Sequence, residues 1–536
     1  MSLTERPIFS RAAVFLAVVI VALAYTLATD HTWEDYWITF RSSKNLATGN
    51  GLVHQPGERL HTFTSPLGVL LPALCSFVTG NQSDIAALWL FRLLCIASLG
   101  GAAVLGYLTA IGSGIHKAAV GFFVAWWIAD NKTQDFSANG METSLLLLFI
   151  TWSAWALFAC TSPRPWLHLG LAWAGLMWTR PDSFITIAAM GAGVLIFGSE
   201  ANSRLSRKKW LKLFLQAAGI CALAYLPWFL GAWLYYGSPV PHTVTAKASI
   251  AGAKPLLGFV WTFIEIPLTG LFKPGVLEAA FAPSNIRFGG WPDVVEAGCR
   301  IFGLICYVVW LLPWVRWQAR VCSFVFAIFL AYLDYFPAYP ASWYLPGPVW
   351  FGLIGLAGLF ELGFRHGSLL KKACWSASAA FLLLAIWMSL QSARTFAAQQ
   401  KIVDGGNRKN IGLWLKQNAR PTDTVFMECL GYIGYYSELR THDWPGLSSP
   451  TVVALTRECG LDWSCLLQRL KPDWVVVRPQ ELVKHFSSGL GSPGLPYELV
   501  RVFDVTQELE ELDLYGQGLL SFDCCFLAFK RKEPVQ

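Results

Sequence analysis

Two adjacent carboxylates, Glu34 and Asp35, follow closely on an apolar run that ends at Ala28. Charge placed so near hydrocarbon is costly, and where a sequence keeps it the charge usually has a task. If Glu34 to Ala47 is helical, Glu34, Ile38 and Arg41 share one stripe, while Asp35, Thr39 and Ser42 share the next. The two acids therefore cannot converge on one atom: one is a candidate general base, and the other holds a partner in place. A plainer alternative stays open, in which both are first-turn acids favoured by the helix dipole and Arg41 is a solvated neighbour. The turns that follow, Gly49-Asn50-Gly51 and Pro56-Gly57, are ordinary turn chemistry. They do not form a nucleotide-binding loop, because the required strand and helix context is missing.

The elements that must position these residues belong to a membrane protein. Of 536 residues, 54% are hydrophobic and 14% charged, with a mean hydropathy of +0.45, which excludes an ordinary soluble globule. Many of the 26 Trp lie near the ends of apolar runs, as expected of rings at headgroup depth. The net charge of +7 therefore reads as topology, since no basic stripe on a soluble unit suggests a nucleic-acid partner. Met1 to Ala28 reads as a signal anchor rather than a cleaved signal peptide. No paired-Cys spacing suggests zinc, and in an oxidising compartment Cys459 with Cys465, or Cys429 with Cys524 or Cys525, are the candidate disulfides.

Apolar runs of about 20 residues give about 11 transmembrane helices. Lys and Arg orient them consistently only if Phe63 to Gly80 does not cross. The basic loops at His116-Lys117, Arg164, Arg204 to Lys212, Arg316 to Arg320 and Arg365 to Lys372 then all lie inside. The outer loops are Asp30 to Thr62, Asp130 to Gly140, Thr179 to Ser183, Gly237 to Glu296 and Phe336 to Ser342. Phe63 to Gly80, with Pro66 and Pro72, is expected as an interfacial or re-entrant segment, and Pro255 to Phe272 as a second dip. The fold class is thus a polytopic α-helical membrane module over 1–393, with juxtamembrane helices in its first outer loop (30–80) and a second outer loop over 237–298. A small soluble α/β unit follows over 394–536, with helices at Asn410 to Lys416 and Thr451 to Glu458. Its strands are expected at Thr424 to Glu428, Asp473 to Arg478, Tyr497 to Val505 and Ser521 to Lys530.

The first loop resembles that of the mycobacterial terminal arabinofuranosyltransferases and their bacterial relatives within the C-type (GT-C) glycosyltransferases. The shared features are the acid pair, the aromatic stretch to Arg41, Asn45-Leu46-Ala47, Gly49-Asn50-Gly51-Leu52-Val53 with His54 beside it, Pro56-Gly57-Glu58-Arg59 and Thr64-Ser65-Pro66-Leu67. Glu34 stands where that family commonly has its first Asp, whereas Asp35 matches the second. Further matches are Gly140-Met141-Glu142-Thr143, Arg180-Pro181-Asp182, and Tyr236-Gly237 through Pro241-His242-Thr243 with Lys247, where His242 replaces the usual Asn. In the tail, Gly431 to Ser437 and Asp443 to Leu447 also fit.

The resemblance implies an inverting transferase that moves a sugar, a pentose such as arabinofuranose, from a polyprenyl-phosphate donor to a glycan or glycolipid acceptor outside a bacterial inner membrane. Asp35 is then the expected base, with Glu34 in support. Arg41, Arg180 and Lys247 are expected around the donor phosphate, and His54, Glu142, Asp182, His242 and Thr243 around the substrates. A divalent ion bridging the acids and the phosphate is compatible with the residues but not demanded by their spacing. Two other classes compete: a transporter or flippase for lipid-linked sugars, which calls for mid-span charges and related halves, and a non-catalytic envelope-assembly protein.

Overall fold

A computed structural model describes residues 9–198, 205–251, 255–336, 341–365, 368–460, 462–486, 489–492 and 494–532. The first eight residues of the expected anchor, Arg204 of the basic loop Arg204 to Lys212, 252–254 of the loop over 237–298, 337–340 of the loop at Phe336, and His366 and Gly367 of the last basic loop lie outside the described residues.

The chain is a bundle of apolar helices followed by a small sheet unit. Helix α1 (Arg11–Thr29) starts at Ser10, whose hydroxyl accepts from the Ala13 amide, and it stops where Asp30 turns left-handed. There follow α2 (Glu34–Ala47), α3 (Pro66–Val78), α4 (Asp84–Gly112), α5 (Lys117–Ala129), α6 (Asn131–Ala138), α7 (Thr143–Phe158), α8 (Pro165–Thr179) and α9 (Phe184–Phe197). Long helices continue at Arg207–Tyr236, Asp293–Val308, Trp317–Tyr335, Pro346–Arg365 and Ser368–Ala398. Among the described residues, seven helices are long and apolar enough to cross a membrane, or eight if α6 and α7, bent by 117°, form one broken span. The expected eleven is reached only by adding the shorter α5, α7, α8 and α9, because several helices here are too brief to span unaided.

Three shorter helices lie in the loops expected outside. In α3, Pro66 occupies the first turn and Ser65 caps it by accepting from the Gly68 amide; at 13 residues it is too short to span, as expected of a segment that does not cross. It packs on α2 and α4 and leaves Leu74, Phe77 and Val78 exposed. Helices His242–Ala251 and Leu256–Thr269 form the second outer loop; the latter has Leu256, Leu257 and Trp261 exposed.

The helix Ser368–Ala398 does not end at the bundle. It widens into π-helical geometry over Gln399–Arg408 and runs on as Lys409–Asn418, so one continuous element carries the chain into the tail. There five strands, β1 (Thr424–Met427), β2 (Arg440–Asp443), β3 (Trp474–Val477), β4 (Tyr497–Asp504) and β5 (Cys525–Arg531), form a sheet in the order β2-β1-β3-β5-β4. The first three are mutually parallel, and β5 runs antiparallel to both β3 and β4. Two expectations are corrected here. Strand β2 was not anticipated, because Arg-Thr-His-Asp carries no apolar alternation and is a strand only through its pairing with β1. The strand expected from Ser521 begins at Cys525, since Gly518–Phe522 is helical. Cys459 and Cys465 form a disulfide, whereas Cys429, Cys524 and Cys525 are free thiols.

Candidate active site

The cleft that gathers the sequence candidates is built on α2. Trp33, just ahead of the helix, donates its amide to the Asn139 carbonyl at 2.9 Å, which sets the first turn of α2 against the bend between α6 and α7. Gly140 sits in that bend at φ +97°, and a Cβ there would strike the Tyr36 ring, so only glycine lets the two segments meet. Tyr36, Trp37 and Phe40 bury one face of α2 against Phe91 of α4 and, on the other side, against Tyr432, Tyr435 and Tyr436 of the tail. The helix is thus clamped between bundle and tail, and the orientation of its first turn is fixed.

That first turn splits the acid pair. Asp35 lines an open cleft of about 830 Å³, part of it open to solvent, together with Thr39, Glu142, Arg180, Thr243 and Lys247. No hydrogen bond or ion pair holds Asp35 among the described residues. Burial pushes its carboxyl above the usual aspartate range, opposed by the positive charges of Lys247 and Arg180. Glu34 points away from the cleft. It pairs with Arg408 at 3.2 Å and accepts from the Gly431 amide at 3.0 Å, and burial, opposed by Arg408, pushes it up to about 7. A divalent ion bridged by the two adjacent acids therefore does not fit this geometry, and among the described residues no cluster of three or more His, Cys, Asp or Glu is arranged to hold a metal.

Arg180 is the best-anchored cation of the cleft. It lies 3.2 Å from Glu142 and 3.3 Å from Asp182, with its guanidinium 4.3 Å from the centre of the Tyr344 ring. Burial works to discharge it, but Tyr344, Asp182 and Glu142 together outweigh that, so it stays charged. Arg180 and Tyr344 also line a second, narrow crevice that continues between α7, α9 and the helices Trp317–Tyr335 and Pro346–Arg365, with Leu146, Ile150, Phe329 and Phe351 as its apolar walls and Ser183 and Thr186 as polar ones. Asp182 faces this crevice rather than the main cleft. Lys247 is exposed and has no ion-pair partner among the described residues, and the buried Thr243 hydroxyl likewise has no hydrogen-bond partner.

Three candidates lie elsewhere. Arg41 is buried and spends its guanidinium on Gln55 and on the carbonyls of Gly434 and Leu439, at 2.8 to 3.0 Å, so it ties α2 to the tail and does not reach the cleft. His54 is buried beside it, and burial together with the Arg41 charge holds its imidazole well below the usual range. His242 does not line the cleft; its Nε2 lies 3.1 Å from the Gly446 carbonyl oxygen, and its amide donates to the His61 carbonyl. Sequence reasoning also missed Trp343, Tyr344 and Leu447, which complete the cleft wall, and Arg408, the partner of Glu34. Each comes from a segment remote in sequence; Leu447 ends the tail match Asp443 to Leu447, but no local pattern places any of them at the cleft.

Comparison with known proteins gives three results. Residues 394–519 match a family described as a domain of unknown function, DUF8728. The chain is 28% identical over 291 residues to a terminal β-(1→2)-arabinofuranosyltransferase of Corynebacterium glutamicum, covering 48% of this chain and 39% of the relative. It is 27% identical over 354 residues to the protein of that name in Mycobacterium tuberculosis, covering 57% and 52%. The chain thus spans about half or less of the length of these curated relatives. Among solved structures, ArnT of Cupriavidus metallidurans bound to undecaprenyl phosphate superposes with a TM-score of 0.53 at 11% identity, covering 97% of this chain and 98% of that one. An oligosaccharyltransferase of Archaeoglobus fulgidus in complex with an inhibitory peptide and a dolichol-phosphate gives 0.52 at 12%, covering 92% and 73%. These structures share the fold of this chain, that of the C-type membrane glycosyltransferases.

Proposed function

We propose that this protein transfers a sugar, a pentose such as arabinofuranose, from a polyprenyl-phosphate donor to a glycan or glycolipid acceptor on the extracytoplasmic side of a bacterial inner membrane. The reading is carried by one observation. Asp35, a carboxylate without an ion-pair or hydrogen-bond partner among the described residues, shares a cleft with Arg180, and Arg180 also borders a narrow crevice between the helices, partly walled by Leu146, Ile150, Phe329 and Phe351. The names of the curated relatives support the reaction class and the sugar. The lipid phosphates bound to the two solved neighbours support the donor class. The extracytoplasmic placement rests on the Lys and Arg distribution and on the Cys459–Cys465 disulfide, a bond that persists in oxidising compartments.

The chemistry is a single displacement with inversion. The acceptor hydroxyl oxygen forms a bond to the anomeric carbon while the bond from that carbon to the phosphate oxygen breaks. Asp35 takes the hydroxyl proton, and the lipid phosphate leaves with the electron pair. Its raised proton affinity suits a base that must capture a proton in the transition state. Arg180, held charged and already oriented by Glu142 and Tyr344, meets the charge that grows on the leaving phosphate without reorganising, and its planar fork suits phosphate oxygens. Lys247 adds a second, movable cation. The isoprenoid tail stays in hydrocarbon along the crevice, since exposing it to water would cost about 25 cal/mol per Å².

The test is transfer by purified protein in lipid nanodiscs, with decaprenyl-phosphoryl arabinofuranose as donor and octyl arabinofuranosyl oligosaccharides as acceptors. The expected product is an acceptor heavier by one pentose, with the anomeric configuration opposite to the donor's by NMR. Retention of configuration, or movement of intact donor across the bilayer without transfer, contradicts the reading.

A further inference from the structure

We propose that the tail loop Asp443 to Ser449 forms the acceptor-facing wall of the cleft and that Leu447 determines which acceptors are accepted. The assignment rests on the transferase reading above, and it gives a role to part of the segment that matches a domain of unknown function.

Of the residues lining the cleft, Leu447 is the one contributed by the tail. The loop that carries it is built to be stiff. The buried Asp443 carboxylate accepts from the amides of Gly446, Leu447 and Ser448, at 3.2, 2.6 and 2.7 Å, and from the Ser448 hydroxyl at 2.6 Å. Four donors on one carboxylate fix the backbone on both sides of Leu447. Gly446 adopts φ +92°, and a Cβ there would crowd Val453, so the loop packs directly on the helix Pro450–Cys459. Ser449 caps that helix, which makes the loop and the helix one unit.

The loop is also locked to the other side of the cleft entrance. His242 Nε2 meets the Gly446 carbonyl oxygen at 3.1 Å, and His242 begins the helix His242–Ala251 that brings Thr243 and Lys247 into the cleft. Leu447, Thr243 and Lys247 therefore form one connected group. Arg180, Glu142 and Tyr344 form another, joined by their own contacts and bordering the apolar crevice. The lipid-linked donor belongs on the side of Arg180, whose cation suits its phosphate and where Leu146, Ile150, Phe329 and Phe351 present apolar surface. The acceptor must then approach from the group that includes Leu447. An aliphatic side chain on a rigid loop discriminates by shape: it packs against the C–H face of one sugar and excludes a bulkier neighbour.

The experiment uses the full-length protein in nanodiscs with decaprenyl-phosphoryl arabinofuranose and octyl arabinofuranosides of one to four sugars. It compares wild type with Leu447→Ala, Leu447→Trp and, as a tail-surface control, Val483→Ala, a residue 83% exposed. Leu447→Trp is expected to change the ranking of the acceptors by kcat/KM by about tenfold, while the donor KM stays within about twofold. Leu447→Ala is expected to relax the ranking, and Val483→Ala to leave it unchanged. Active Leu447 variants that keep the wild-type ranking overturn the assignment alone. A wild-type protein that transfers to none of the acceptors overturns the transferase reading and this assignment with it. Should Leu447→Trp fail to fold, Leu447→Ala decides by itself, because it only removes atoms from a partly exposed position.

Discussion

Glu34 reaches Arg408 across 3.2 Å, and this pair joins the helix that carries Asp35 to the long element leaving the bundle. Arg408 also pairs with Asp404 at 2.8 Å and with Asp523, and Asp523 in turn meets Arg478 at 2.5 Å. The chain of charges runs from the first turn of α2 into the sheet unit. Side by side in sequence, the two acids thus divide: Asp35 faces the cleft, and Glu34 holds the frame.

Removing the hub of that network should destabilise more than removing its edge. Arg408→Ala leaves Glu34 and Asp404 without their cation and Asp523 with Arg478 alone, and breaking a buried pair in this way typically costs about 3–5 kcal/mol. Glu34→Gln keeps an oxygen for the Gly431 amide and leaves Arg408 its other two partners, so a loss of about 1 kcal/mol is expected. Thermal inactivation in detergent should rank wild type, Glu34→Gln and Arg408→Ala in that order; equal half-lives would refute the network's role.

Arg180 should matter to the chemical step more than to binding. Arg180→Gln is expected to lower kcat by about 100-fold with a much smaller change in donor KM, because the charge it meets grows only in the transition state. Arg180→Lys should recover part of the loss, a lysine supplying charge without the planar fork. Steady-state kinetics over donor concentration checks this, and a rise in donor KM at unchanged kcat would place Arg180 in ground-state binding instead.

Asp35 carries a stability signature that depends on pH. Its carboxyl is raised by burial, so the folded state binds its proton more tightly than the unfolded state does. Stability from this group is then fully present below the ordinary aspartate value and is lost as pH rises through the raised folded value. Asp35→Asn, which cannot ionise, should therefore inactivate more slowly than wild type at pH 7.5, and the gap should close near pH 4. A variant less stable than wild type at pH 7.5 would contradict the burial argument.

The disulfide offers a handle on sidedness. In intact spheroplasts treated with a mild reductant, an impermeant maleimide should label Cys459 and Cys465, which are partly exposed, while Cys160, at the expected inner end of α7, should be labelled only after permeabilisation. Peptide mapping by mass spectrometry reads the result, and the reverse pattern would invert the topology.

Much of this was legible in the sequence, for reasons that differ by level. Apolar runs give the membrane helices, because a bilayer core accepts only long apolar stretches. The split of Glu34 from Asp35 follows from helical geometry alone, since adjacent positions stand about 100° apart. Arg41 misled because an arginine about two helical turns from a carboxylate looks like a ligand in one dimension, while the carbonyls that claim it, at Gly434 and Leu439, lie almost 400 residues away. His242 misled for the same reason: its partner is a backbone carbonyl of the tail. Trp343 and Tyr344 left no trace, because apolar and aromatic residues in such a chain are the background, and Leu447 shows only as the end of the Asp443-to-Leu447 match, which does not place it at the cleft.

The most direct test replaces one oxygen. Purified Asp35→Asn should bind donor and acceptor with near wild-type affinity yet transfer sugar at least about 100-fold more slowly, with its residual rate unchanged from pH 5.5 to 8.5. Wild type should instead gain activity as pH rises through a value above the ordinary aspartate range. An Asp35→Asn protein that turns over at the wild-type rate would contradict the account.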